Sequence, residues 1–171
     1  MKSTPSLLST ISLALSLSGC GTVGETGRSQ LLLFNDPQMT QMGVQAYEEA
    51  SKEYPVVKGT PEAQMVERIG QKIAKASGRD FAWEFRLLNA PEVVNAFCLP
   101  GGKVAVYTGI LKVTQNEDGL AAVMGHEVAH ATSNHGNERM SQGSAANFGL
   151  QAADQVAGLA GLSETAQTVV M

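Results

Sequence analysis

The chain of 171 residues has two cysteines, three histidines and one tryptophan, and much of the usual catalytic apparatus is missing from it. No G-x-S-x-G turn occurs, so a serine hydrolase built on a nucleophile elbow is excluded. No glycine-rich phosphate loop occurs either. Cys98 is the only cysteine outside the N-terminal segment, and no histidine lies near it in sequence to activate it. There is no basic excess: 12 Lys and Arg stand against 16 Asp and Glu, a net charge of −4, and that mild acidity argues against nucleic-acid binding. The apolar run from Leu7 to Leu17 is interleaved with serines and, at about eleven residues, is too short to span a bilayer as a mature helix. No segment repeats internally.

What is present is concentrated. All three histidines lie between 126 and 135. His126-Glu127-Val128-Ala129-His130 read H-E-x-x-H, the pattern that binds zinc and hydrolyses peptide bonds. A helix turns about 100° per residue, so positions i and i+4 lie only about 40° apart on one face, and both rings can reach one tetrahedral metal. Glu127 sits about 100° round from His126, positioned to touch a water on the metal's open side. Neutral His126 and His130 would then be metal ligands and Glu127 the general base.

The flanking residues predict a helix. Asn116 is a candidate N-cap, and Glu117 and Asp118 put negative charge in the first turn, where the helix dipole favours it. Leu120, Val123, Met124, Val128 and Ala131 recur at helical spacing. With apolar residues on both sides of the motif, the helix is expected to be buried. Gly136 is the expected C′ residue. Gly125 costs roughly 1 kcal/mol against alanine in a helix interior, and close approach of a backbone or a substrate would account for it.

A third ligand is harder to find. His135, five residues after His130, lies about 140° round an unbroken helix and faces away unless the helix ends first. The metzincin spacing needs Gly and His where Ser133 and Gly136 stand. Glu138 reads as a solvated charge past the helix end, and neither Asp154 nor Glu164 makes a convincing ligand.

Two blocks together resemble the M48 family of zinc metallopeptidases, in particular its bacterial periplasmic lipoproteins. One block is Val94 to Leu111, containing Asn95-Ala96-Phe97-Cys98-Leu99-Pro100-Gly101-Gly102, which is similar to the family's N-A-F-x-x-P-G-G segment. The other is Asn116 to His135, similar to its N-E-D-x-x-A-x-V-x-G-H-E-x-x-H helix. The resemblance implies an α+β, zincin-like fold with a small sheet, one Zn2+ per chain on His126 and His130, and Glu127 as the catalytic glutamate. It also implies a third ligand on a separate downstream helix, a Glu in an E-x-x-x-D context. No such segment precedes Met171, so the chain is expected to lack its C-terminal part. Gly119 stands where the family often has a larger helix former.

Pro100-Gly101-Gly102 is a turn signal, and Lys103 to Thr108 alternates as a strand does. An extended substrate can add to a free strand edge through main-chain hydrogen bonds, which makes Gly102 and Val104 candidate substrate contacts. An interior strand is the equal alternative. Asn95 has two readings, positioning substrate or capping a turn.

At the N-terminus, Lys2 and the Leu7–Leu17 run fit a signal peptide over residues 1–19. Leu17-Ser18-Gly19-Cys20 resembles a bacterial lipobox, which implies lipidation of Cys20 and anchoring without a spanning helix. A disulfide from Cys20 to Cys98 is the alternative. Gly21 after the cysteine, by resemblance to enterobacterial sorting, points to the outer membrane. Residues 20–35 are expected as a lipidated tether and 36–171 as the peptidase domain. Asp36-Pro37 predicts a helix start, with Pro37 at N1 and apolar Met39, Met42, Val44 and Tyr47 following; Thr60-Pro61-Glu62 predicts another, running to Ser77-Gly78. Phe81 to Leu88 reads as a strand, and Ser141 to Gly161 as a glycine-weakened helix. The expected function is a zinc endopeptidase in cell-envelope quality control, acting on unfolded or misassembled envelope proteins. The alternative is an envelope lipoprotein that holds metal weakly and assists assembly by contact.

Overall fold

A computed structural model describes residues 20–23 and 26–159, the side chains of Cys20 and of residues 152–159 apart. The expected signal peptide and Glu164 lie outside the described residues, as does the side chain of Asp154. A hairpin comes first: β1 (Cys20–Thr22) pairs antiparallel with β2 (Ser29–Leu31). Helix α1 (Asp36–Glu53) comes next, started by a capping box in which Asn35 accepts from the Gln38 amide at 3.0 Å and the Gln38 side chain accepts from the Asn35 amide at 3.1 Å. Strand β3 (Val56–Val57) leads to α2 (Pro61–Ser77), which Thr60 caps by accepting from Ala63 and Gly78 ends in the left-handed conformation.

Beyond α2 lie β4 (Glu84–Leu88), β5 (Ala96–Leu99) and β6 (Lys103–Tyr107), then the single turn α3 (Leu111–Thr114), α4 (Glu117–Thr132) and α5 (His135–Leu159). The fold is α+β. One sheet has the order β3-β4-β6-β5, with β4 and β6 parallel and the other pairs antiparallel. Strand β6 lies between two neighbours and has a core on each face of the sheet, so every residue of it is buried.

Successive side chains alternate between the sheet's faces, and each face has its own core. Phe85, Leu87, Val104 and Val106 pack with Val66 and Ile69 of α2 and with Leu120, Met124 and Val128 of α4. Leu88, Ala105 and Tyr107 pack with Tyr47 of α1 on the other side. The buried Tyr47 hydroxyl donates to the Val104 carbonyl at 3.0 Å, which satisfies a polar group that would otherwise be costly there. Of the apolar residues early in α1, Met39 and Tyr47 are buried, whereas Met42 and Val44 are exposed. Gly43 takes the intervening buried place, because a Cβ there would meet the Pro100 carbonyl oxygen at 2.3 Å.

The segment expected as a tether is docked. Arg28 donates through both terminal nitrogens to Glu138 of α5, at 2.6 and 2.5 Å. Gln30 donates to the Ser133 carbonyl at 2.6 Å and to Glu138 at 3.1 Å. The Leu33 amide donates to Ser141 at 2.8 Å, and Asn137 donates to the Phe34 carbonyl at 2.6 Å. A flexible tether would leave these groups in water; here residues 28–34 bond to the C-cap of α4 and the first turns of α5. Glu138, expected as a solvated charge, is buried at 8% exposure because a bidentate guanidinium compensates it.

The Arg28 guanidinium, with Gln30 assisting, holds the Glu138 carboxyl at about 2, down from its ordinary 4.5. A depressed acid contributes stability above its unfolded pKa and loses it as pH falls through the folded value. Thermal unfolding of the parent chain and of Glu138→Gln should therefore differ most above about pH 5 and converge as pH falls toward about 2. A gap that stays constant with pH would show the clasp to be uncharged in effect.

Candidate active site

Helix α4 carries the motif, and its start is built as expected. Asn116 accepts from the Gly119 amide at 2.9 Å, and Glu117 forms an ion pair with Arg68 of α2. Gly119 is required by packing: a Cβ there would meet the Thr114 carbonyl oxygen at 2.2 Å, where α3 turns into α4. Only one face of α4 is buried. Leu120, Met124 and Val128 form that stripe, while His126 is exposed and Glu127 and His130 are half-buried. The expectation of a fully buried helix fails because α2 and the sheet cover one side alone. Apart from its two chain neighbours and the backbone of its own helix, no described atom lies within 4 Å of a Cβ built on Gly125, so no other element packs against it there.

The two motif rings converge. Nε2 of His126 and Nε2 of His130 are 2.9 Å apart. Two imidazole nitrogens on one tetrahedral zinc, at Zn–N distances near 2.0–2.1 Å, would lie about 3.3 Å apart. The pair therefore fits a single metal ion after a shift of a few tenths of an ångström. Among the described residues no cluster of three or more His, Cys, Asp or Glu is placed to hold a metal, so these two imidazoles are what α4 supplies.

The helix ends earlier than its glycine suggested. Ser133 is the C-cap and Asn134 adopts the left-handed conformation at φ 57°; Gly136, the expected C′ residue, lies inside α5. Asparagine tolerates this region because its short polar side chain bonds locally. The break changes where His135 goes. Instead of pointing away round a continuous helix, it returns its Nδ1 to 2.5 Å from Nδ1 of His130. Sequence reasoning missed this contact, and the signal for it was the asparagine directly before the histidine.

Glu127, His130 and His135 open onto a cavity of about 480 Å³ lined by Met39 of α1, Phe81, Leu99 of β5 and Met140 of α5. Gly101 is part of its wall; it and the adjoining Gly102 both have φ 82°, which only glycine adopts without strain. Cys98 of β5 also faces it. Burial, with the Glu127 carboxylate adding, pushes its thiol up to about 12, and it is a free cysteine with no thiolate character at neutral pH.

The candidate substrate contacts fare differently. Val104 is fully buried on β6, and both edges of that strand are taken by β4 and β5; it cannot receive a substrate strand. Gly102 is buried in the turn, where a Cβ would strike Phe81 and Trp83. Asn95 is exposed, and its side-chain oxygen accepts from the Ala96 amide at 2.9 Å. The outer strand of the sheet on this side is β5, and α4 packs beside it.

Residues 61–170 match Peptidase family M48. The chain belongs to the M48 peptidase family. It is 40% identical over 114 residues to the mitochondrial metalloendopeptidase OMA1 of Schizosaccharomyces pombe, a match covering 63% of this chain and 34% of that protein. The beta-barrel assembly-enhancing protease of Yersinia pestis is 31% identical over 113 residues, 60% of this chain and 23% of its own length. The corresponding Escherichia coli protease is 28% identical over 115 residues, 67% of this chain and 23% of its own. This M48 chain thus spans about a quarter to a third of these relatives.

Two consequences can be measured. Gly→Ala in a helix ordinarily gains about 1 kcal/mol, but Gly119→Ala should lose stability by about 1–3 kcal/mol of overpacking, read from urea unfolding. Cys98 should resist iodoacetamide at pH 8 in the native chain and react at the ordinary rate once unfolded; fast native labelling would contradict its burial.

Proposed function

We propose that this M48 chain provides the catalytic helix of a zinc-dependent endopeptidase. The convergence of His126 and His130 through Nε2, with Glu127 on the cavity side, carries the reading. The two imidazoles would hold the metal, with a further ligand to be sought outside the described residues. Zinc bound there would lower the pKa of a water towards about 7 and polarise a carbonyl. Glu127 would take the proton from that water on a carboxylate oxygen and hand it to the departing amide nitrogen. The half-buried position of Glu127 between the histidines and the apolar stripe keeps it beside the cavity, where a peptide can lie.

The high pKa of Cys98 supports the choice of water rather than a thiolate as nucleophile. Strand β5 is the sheet edge nearest α4, and an extended peptide pairing along it would use main-chain bonds with little sequence preference. We assign residues 1–19 as a signal peptide, Cys20 as the lipidated residue and the bacterial envelope, on its outer-membrane side, as the compartment. Leu17-Ser18-Gly19-Cys20 supports this, as do relatives named for β-barrel assembly; the OMA1 relatives are mitochondrial by name. Substrates would be unfolded or misassembled envelope proteins. Among the described residues no helix is long and apolar enough to cross a membrane.

The test is proteolysis of an unfolded substrate by the zinc-loaded chain and by Glu127→Gln. Loss of a general base costs about 10²–10⁴-fold in rate, so the variant should fall by that factor while zinc content is unchanged. Equal cleavage by both proteins would remove Glu127 from the reaction. Absent cleavage with substoichiometric zinc would favour the alternative of a metal-poor assembly factor.

A further inference from the structure

The break at Asn134 brings three imidazoles into a row. His126 and His130 face each other through Nε2 at 2.9 Å, and His130 turns its other nitrogen, Nδ1, to Nδ1 of His135 at 2.5 Å. Only one proton fits between two nitrogens at that distance, so one ring donates and the other accepts. If His130 is to bind metal, Nε2 must be bare and its proton must sit on Nδ1. That proton then needs an acceptor, and the only ring atom facing it is Nδ1 of His135.

We propose that His135 is the positioning residue for His130: its Nδ1 accepts the Nδ1–H of His130, fixing the tautomer and ring plane that leave Nε2 free for the metal. This rests on the metal reading of His126 and His130. His135 is itself held. It opens α5, is half-buried, and stands one turn before Glu138, which Arg28 and Gln30 clamp. Its bond to His130 runs through the nitrogen opposite to the one that meets His126, so His135 supports a ligand without being one. Partners of this kind set ligand orientation and basicity at metal sites.

The experiment uses the 171-residue chain, His135→Asn and His135→Leu. Asparagine keeps an acceptor oxygen at the δ position of the lost ring; leucine keeps bulk and removes the acceptor. Imidazole nitrogen-15 shifts of the zinc-free proteins report the tautomer of His130. The expected state is Nδ1–H in the parent and in His135→Asn, with a mixture in His135→Leu. Chelator competition reports zinc affinity: His135→Leu should weaken it by about 10–100-fold, the usual effect of losing such a partner, while His135→Asn stays within about threefold. An Nε2–H tautomer for His130 in the parent overturns the proposal. So does equal weakening by Asn and Leu, which would make His135 a ligand or a packing residue. Should the parent hold no zinc, the peptidase reading fails while the tautomer still decides this one; should His135→Leu not fold, the parent tautomer decides alone.

Discussion

The apolar stripe of α4 is the constraint on which the site depends. Leu120, Met124 and Val128 are driven into the core between α2 and the sheet, and burying three such side chains outweighs any rotational preference the helix has of its own. Once they are in, the azimuth of every other residue is set. His126 and His130 fall about 120–160° round from the middle of the stripe, and Glu127 about 60° from it. The ligands therefore face outward and the carboxylate sits at the boundary, half in the protein and beside the cavity. A one-residue shift in the buried set would turn each of these side chains by about 100° about the helix axis.

The rest of the architecture serves to hold this helix at a defined height. Gly119 lets the start of α4 close on the Thr114 carbonyl, and Asn116 satisfies its free amides. At the other end, the left-handed Asn134 stops the helix and starts α5 in a new direction. The second hairpin strand and the residues after it then bind α5 and the end of α4 through Arg28, Gln30, Leu33 and Phe34. Glu138 is the centre of that clasp, and a buried carboxylate is tolerable only with its bidentate partner. The same turn that carries Glu138 carries His135, so anchoring of the N-terminal strap and placement of the third imidazole share one piece of backbone. Across the cavity, Gly43 allows α1 to approach the Pro100-Gly101 turn closely enough to form the opposite wall.

Local chemistry was legible and long-range partnership was not. The caps at Asn116 and Thr60, the glycine stop at Gly78, the motif pair four residues apart and the β6 strand are each set by neighbours within a few residues. Glu138 looked like a surface charge because its partner Arg28 is 110 positions away. The burial of Gly43 between exposed Met42 and Val44 was not legible, because the α1 pattern contains no sign that Gly43 lies under the Pro100 turn. Val104 looked available because alternation says nothing about how many strands flank its own. The end of α4 was misplaced by a few residues, since glycine and asparagine both tolerate the left-handed conformation and only packing chooses between Gly136 and Asn134.

By itself, the sequence determined a helix bearing two imidazoles on one face and a carboxylate beside them, because a 3.6-residue period is a property of the backbone and needs no distant contact. It also carried the two blocks by which the chain belongs to its family. Tertiary structure alone decided which strand is interior, which charge is buried and where His135 points. Those outcomes depend on contacts between elements far apart in the chain, whose energies are collected only when the chain closes on itself.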